Sequence, residues 1–96
     1  MIGKLHNFEG KQIFACCDKE LIDTKIKTKD FEIQISKHFY GTDKLTETEL
    51  FNNLEICDCA NIFGNNICNR LLKKKIITEE QIIKINKIAH TQIYKI

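Results

Sequence analysis

The stretch "CDCANIFGNNIC", residues 57–68, decides how the middle of this chain is read. It holds three cysteines, three asparagines and a glycine in twelve positions, so it asks first whether it is chemistry or architecture. As part of a helix running from about Asn61 to Lys75, it sets Phe63, Ile67 and Leu71 in one row, with Cys68 and Leu72 widening the apolar stripe. Gly64 sits awkwardly there, since glycine inside a helix costs about 1 kcal/mol against alanine. It therefore either admits another backbone or a ligand, or marks the true helix start. Lys73, Lys74 and Lys75 fall in the last turn, where cations are favourable against the helix dipole, and this explains the run without a ligand. Upstream, Thr46-x-x-Glu49 is a capping-box pattern, and Leu50, Leu54 and Cys57 follow it at helical spacing.

Outward from this helical middle the chain changes period. Residues 2–7 and 12–17 are expected as strands, joined by the turn Phe8-Glu9-Gly10-Lys11. A third strand is expected from Glu32 to Ser36, where Ile33 and Ile35 alternate with polar neighbours. The polar segment between them, Asp18 to Asp30, is anchored by Leu21, Ile22 and Ile26, and its Lys25, Lys27 and Lys29 line one face if extended. Towards the end, Thr78-x-x-Gln81 caps a short turn or opens the final segment. Ile82, Ile83, Ile85 and Ile88 fit a strand or a short helix equally, and Thr91 to Ile96 alternates as a closing strand. The expected class is α+β: a small, mostly antiparallel sheet (N-terminal hairpin, third strand, C-terminal strand) with two principal helices, residues 1–96 forming a single globular domain.

Composition narrows the function. With 43% hydrophobic and 29% charged residues the chain is expected to fold rather than remain disordered. It has no apolar run near the roughly 20 residues a bilayer requires, and MIGKLHNFEGK lacks the apolar core of a secretory signal. A cytoplasmic protein with no membrane partner is the expectation, and five cysteines are then read as free, mostly buried thiols. A net charge of +2, with Arg70 the only arginine, leaves little supply for bidentate reading of guanine in DNA, although lysines remain for phosphates.

Cys57-x-Cys59 has the wrong spacing for a zinc knuckle, and Cys16-Cys17 places adjacent thiols on opposite sides of a strand. His6, His38 and His90 form no paired motif. No metal, cofactor or catalytic residue is assigned. Cys17, with His90 as its base, is the one enzyme pairing to weigh, and nothing near it supplies an oxyanion hole. "HFYG", residues 38–41, offers His38 and Tyr40 as a stacking platform for a base, with Phe39 packed in the core. Asn61, Gly64, Asn65 and His90 complete the candidate ligand residues, and Lys25, Lys27 and Lys29 are the candidate nucleic-acid contacts.

Nearly the whole chain resembles an archaeal family of short uncharacterised proteins, Domain of Unknown Function 424. The matching pieces are the opening hairpin, "CDKEL" after the second strand, "FYG", "AN" followed by "GN" in the middle, and "AHTQIY" near the end. In that family the places of Cys57, Cys59 and Cys68 are usually held by ordinary helix or core residues, which speaks against a shared metal site, while Cys17-Asp18 is closer to the family pattern. The resemblance implies an archaeal cytoplasmic protein of undetermined function, with translation as its setting. The first functional reading is a non-enzymatic module binding RNA or a ribonucleoprotein. A protein adaptor or homodimer, pairing along the C-terminal strand, comes second, and a small enzyme using Cys17 and His90 third.

Overall fold

A computed structural model describes residues 1–95. Strands β1 (Ile2–Phe8) and β2 (Lys11–Cys17) form the expected hairpin. Its two-residue turn has φ 52° at Glu9 and 82° at Gly10, the mirror-image turn whose twist matches that of paired strands. A single 3-10 turn at Lys19–Leu21 leads to a short ribbon, β3 (Lys25–Lys27) and β4 (Glu32–Gln34). Helix α1 (Lys37–Tyr40) follows, with Ser36 Oγ accepting the Phe39 N–H. Helix α2 (Glu47–Ile56) opens on the anticipated capping box: Glu49 N–H donates to Thr46 Oγ1, and Thr46 N–H donates to Glu49 Oε1. The rest is β5 (Cys59–Phe63), α3 (Asn65–Lys73), a 3-10 turn at Glu79–Gln81, β6 (Ile83–Ile85) and β7 (Ile88–Tyr94). The closing strand is present, and Ile96, its expected last residue, lies outside the described residues.

The main sheet has the order β1-β2-β5-β7-β6, antiparallel except for the parallel pair β2–β5. The class is thus α+β, with two differences in how it is assembled. The third strand lies in the separate β3–β4 ribbon. The strand beside the hairpin is Cys59–Phe63, whose last three residues fall within the helix expected from about Asn61. The physical reason is length: five residues, with Cys59 and Asn61 half-buried on one face and Ala60 and Ile62 buried on the other, can be threaded on either period.

Gly64 marks the change from strand to helix, and here the alternative reading of that glycine holds. Its φ is 132°, and a Cβ there would lie 2.3 Å from Asp18 Cγ. The reason for that close approach is the cap of α3. Asp18, buried at the end of β2, accepts Asn66 N–H at 2.9 Å and Ile67 N–H at 3.0 Å through its two carboxylate oxygens. A side chain nearly half the chain away thus satisfies the helix donors that no local residue caps.

Helices α2 and α3 cover one face of the sheet, where Phe14, Cys16, Ile62, Leu50, Ile67 and Leu71 pack together. On the other face Ile2, Ala15, Cys17 and Phe63 lie under Ile26, Ile35 and Tyr40 of the ribbon and α1. Four of the five cysteines are buried in these cores and all are free. Burial pushes the Cys17 thiol up to about 12 and Cys68 to about 11, so both stay protonated at neutral pH. Among the described residues, no helix is long and apolar enough to cross a membrane.

Candidate functional site

The second face of the sheet is covered over only part of its length. Strand registry orders its side chains in rows, because paired residues point to the same side. One row runs Ile2, Cys17, Phe63, His90, Ile83, and all but Ile83 are buried. The next runs Lys4, Ala15, Asn61, Gln92, and the third runs His6, Ile13, Cys59, Tyr94. Beyond that row stands Phe8, opposite Lys11. Coverage fades along this sequence of rows. Phe8 is 64% exposed and Tyr94 70%, and together with Ile13, Cys59 and the charged Glu9, Lys11, Asp58 and Lys95 they line a hollow of about 380 Å³.

Helix α1 forms one wall of the open region. Phe39 is half-buried and stacks on His6, with ring centroids 5.1 Å apart, and His6 Nε2–H donates to the Phe39 carbonyl. Tyr40 is buried, its ring edge-on to Phe63, and its hydroxyl donates to Asn61 Oδ1 at 2.7 Å. Burial raises the Tyr40 phenol well above its ordinary value, so it holds its proton and remains a donor. Further along the face, the Tyr94 hydroxyl donates to Gln92 Oε1 at 3.0 Å. The result is an apolar floor of Ile13 and Cys59 flanked by aromatic rings, with two carboxamides beside it. Asn61 and Gln92 are direct cross-strand neighbours. The amines that line this hollow belong to Lys11 and to Lys95, whose Nζ donates to the Leu54 and Glu55 carbonyls, while Lys4 stands exposed one row away on the same face.

Of the residues singled out in the sequence, Tyr40 and Asn61 come together here, and the others do not. His38 is exposed on α1, and the histidine that stacks with Phe39 is His6 instead. Gly64 is a packing position against Asp18. Asn65 ties α3 to the last hairpin: its Oδ1 accepts the Ala89 N–H at 2.9 Å and its Nδ2 donates to the Lys87 carbonyl. His90, expected to be exposed, is buried. It stacks on Phe63 at 3.9 Å, and its Nδ1–H donates to the Ile62 carbonyl. Burial holds its imidazole below the ordinary histidine value, partly opposed by that bond. Cys17 and His90 are each register partners of Phe63, which stands between them, so they form no nucleophile–base pair. Lys25 and Lys27 share Glu32 as a counter-ion at 3.5 and 3.9 Å, and Lys29 lies beyond the strand. Among the described residues no group of histidine, cysteine and acidic side chains could hold a metal.

Sequence reasoning passed over Phe8, Gln92, Tyr94, Lys4 and Lys11. The signal was present in β1, where Ile2, Lys4, His6 and Phe8 alternate onto one face. What it lacked was the partner strand β5, without which no continuous face can be drawn.

Comparison with known proteins agrees with this architecture. The chain superposes on the crystal structure of an uncharacterized conserved protein from Methanopyrus kandleri with a TM-score of 0.80. The match is 19% identical and covers 97% of this chain and 89% of the other, which shows a shared fold. No curated protein matches the sequence. Residues 6–96 match the model of a protein family of unknown function, DUF424, and the chain belongs to that family.

Proposed function

We propose that the chain is a non-enzymatic cytoplasmic module that binds single-stranded RNA on the open part of its sheet. The observation that carries this reading is the pair of solvent-exposed rings, Phe8 and Tyr94, lining one hollow with Ile13 and Cys59. Exposed aromatic residues on a sheet surface suit the stacking of unpaired bases, which present a flat apolar surface with polar edges. Lys4 and Lys11 supply cations for the phosphates between those bases. The modest net charge of +2 implies few phosphate contacts, so binding should lean on stacking.

Fluorescence anisotropy with a labelled twelve-nucleotide RNA tests the reading. Tyr94→Ala should weaken binding about tenfold, the loss of one stacked base. Two phosphate contacts would give a slope of about −1.4 in log affinity against log salt. Absence of binding at low salt, beyond that of a control protein of similar charge, would overturn it.

A second reading, pairing with another copy or another protein, is supported by the outer edge of β7. Within the described residues β6 covers that edge only from Ile88 to His90, leaving Gln92 to Tyr94 without a strand neighbour. Light scattering at high concentration separates the two, since a strict monomer removes the homodimer.

A further inference from the structure

The two carboxamides on the open face are oriented alike, and by the same device. Tyr40 donates its hydroxyl to Asn61 Oδ1 at 2.7 Å, and Tyr94 donates to Gln92 Oε1 at 3.0 Å. Each hydroxyl has one proton, and each is spent on an amide oxygen. A carboxamide whose oxygen is held in this way presents its nitrogen, with two donor hydrogens, to whatever lies beside it. Among the described residues neither Asn61 Nδ2 nor Gln92 Nε2 has a hydrogen-bond partner. The two are register neighbours on adjacent strands, about 5 Å apart in backbone spacing. They differ in how firmly they are set. Tyr40 is buried and its ring is packed edge-on against Phe63 and Phe39, so the Asn61 amide is locked. Gln92 is exposed, and so is its partner Tyr94, whose ring no other ring packs against among the described residues.

We infer that the open face selects bases that present carbonyl oxygens, uracil before cytosine, over bases that present exocyclic amino groups. This rests on the RNA reading of the same face. A base stacked on Tyr94 or over the Ile13–Cys59 floor brings its edge against the two amide nitrogens. Uracil offers O4 and O2 to those donors. Cytosine puts an amino group where uracil has O4, and two donors then face each other without an acceptor between them. That mismatch leaves polar hydrogens unpaired at a partly desolvated site, which is how hydrogen-bonding sites reject close analogues. Lys4 and Lys11 contact phosphate and are indifferent to the base.

The test compares oligouridine and oligocytidine twelve-mers by anisotropy on the full chain, because the two bases share a ring and O2 and differ only at position 4, carbonyl against amino, and at N3, donor against acceptor. At least tenfold tighter binding of oligouridine is expected. Gln92→Glu replaces donors by acceptors at an exposed position and should bring the preference below threefold. Tyr40→Phe releases the Asn61 amide to rotate and should relax the preference while lowering oligouridine affinity only slightly, with circular dichroism confirming the fold. Equal or tighter binding of oligocytidine overturns base selection and leaves the RNA reading standing. Full retention of preference in both variants also overturns it, because the tyrosine-held amides would then not be the readers. Binding of neither oligomer overturns the RNA reading itself.

Discussion

Two rows of the same sheet face, four residues apart along the strands, have opposite fates. Cys17, Phe63 and His90 lie sealed under the ribbon and α1, while Ile13, Cys59 and Tyr94 lie open. Backbone geometry is shared, and so is the pleat. What differs is the length of the cover: α1 has four residues and the ribbon strands three each, so together they roof one end of the face only. A face that alternates correctly for burial can thus be left as a surface, and its aromatic residues Phe8 and Tyr94 then stand mostly in solvent.

That contrast is open to measurement. The largest effect should come from truncating rings in the two rows. Phe63→Ala is expected to cost about 4 kcal/mol of unfolding free energy, through lost burial and a residual cavity. Tyr94→Ala should stay within about 0.5 kcal/mol in the same urea titration, since its ring is mostly in water. If the two variants lost similar stability, the division of the face into roofed and open halves would fail. Somewhat smaller, Gly64→Ala should cost about 3 kcal/mol, because the added Cβ collides with Asp18 and a residue with Cβ resists φ 132°. A near-neutral result would mean that the Asp18 cap is not the reason for the glycine.

The smallest effect is a pH dependence of the roofed row. His90 has a folded-state value below its unfolded one near 6.5, because burial disfavours its charged form. Between those two values the unfolded chain binds a proton that the folded chain does not. Stability is therefore full above the unfolded value and declines as pH falls toward the folded one. Urea midpoints between pH 7.5 and 5.5 should fall for the native chain and fall less for His90→Gln, which can still donate to the Ile62 carbonyl. An unchanged profile in the variant would assign the decline to other groups.

Much of this was legible locally. The Glu9-Gly10 turn, the Thr46–Glu49 capping box and the apolar stripe Ile67, Leu71 are each set by residues within a few positions of one another. Tyr40 and Asn61 were recognisable as polar groups beside apolar ones, but not as partners, since 21 positions separate them. The strand at Cys59–Phe63 was hidden for a related reason. Ile62 and Phe63 are buried on opposite faces and the run is only five residues long, so it fits a helical row as well as a strand, and the partners that decide, β2 and β7, lie far away in sequence. His90 was a candidate because a histidine can serve as ligand or as base. Its ring is instead shut between Phe63 and the Ile62 carbonyl.

By itself the sequence determined the things that depend on short-range chemistry: the hairpin, the start of α2, the α+β class and the family resemblance. Tertiary structure alone decided three others. It made Gly64 a necessity by bringing Asp18 to the start of α3. It threaded Cys59–Phe63 between the hairpin and β7, and it left one end of a sheet face unroofed. Each depends on side chains distant in sequence meeting in space. The free energy of those meetings, burial and capping across the whole fold, exceeds the local preferences of the few residues on which a linear reading relies.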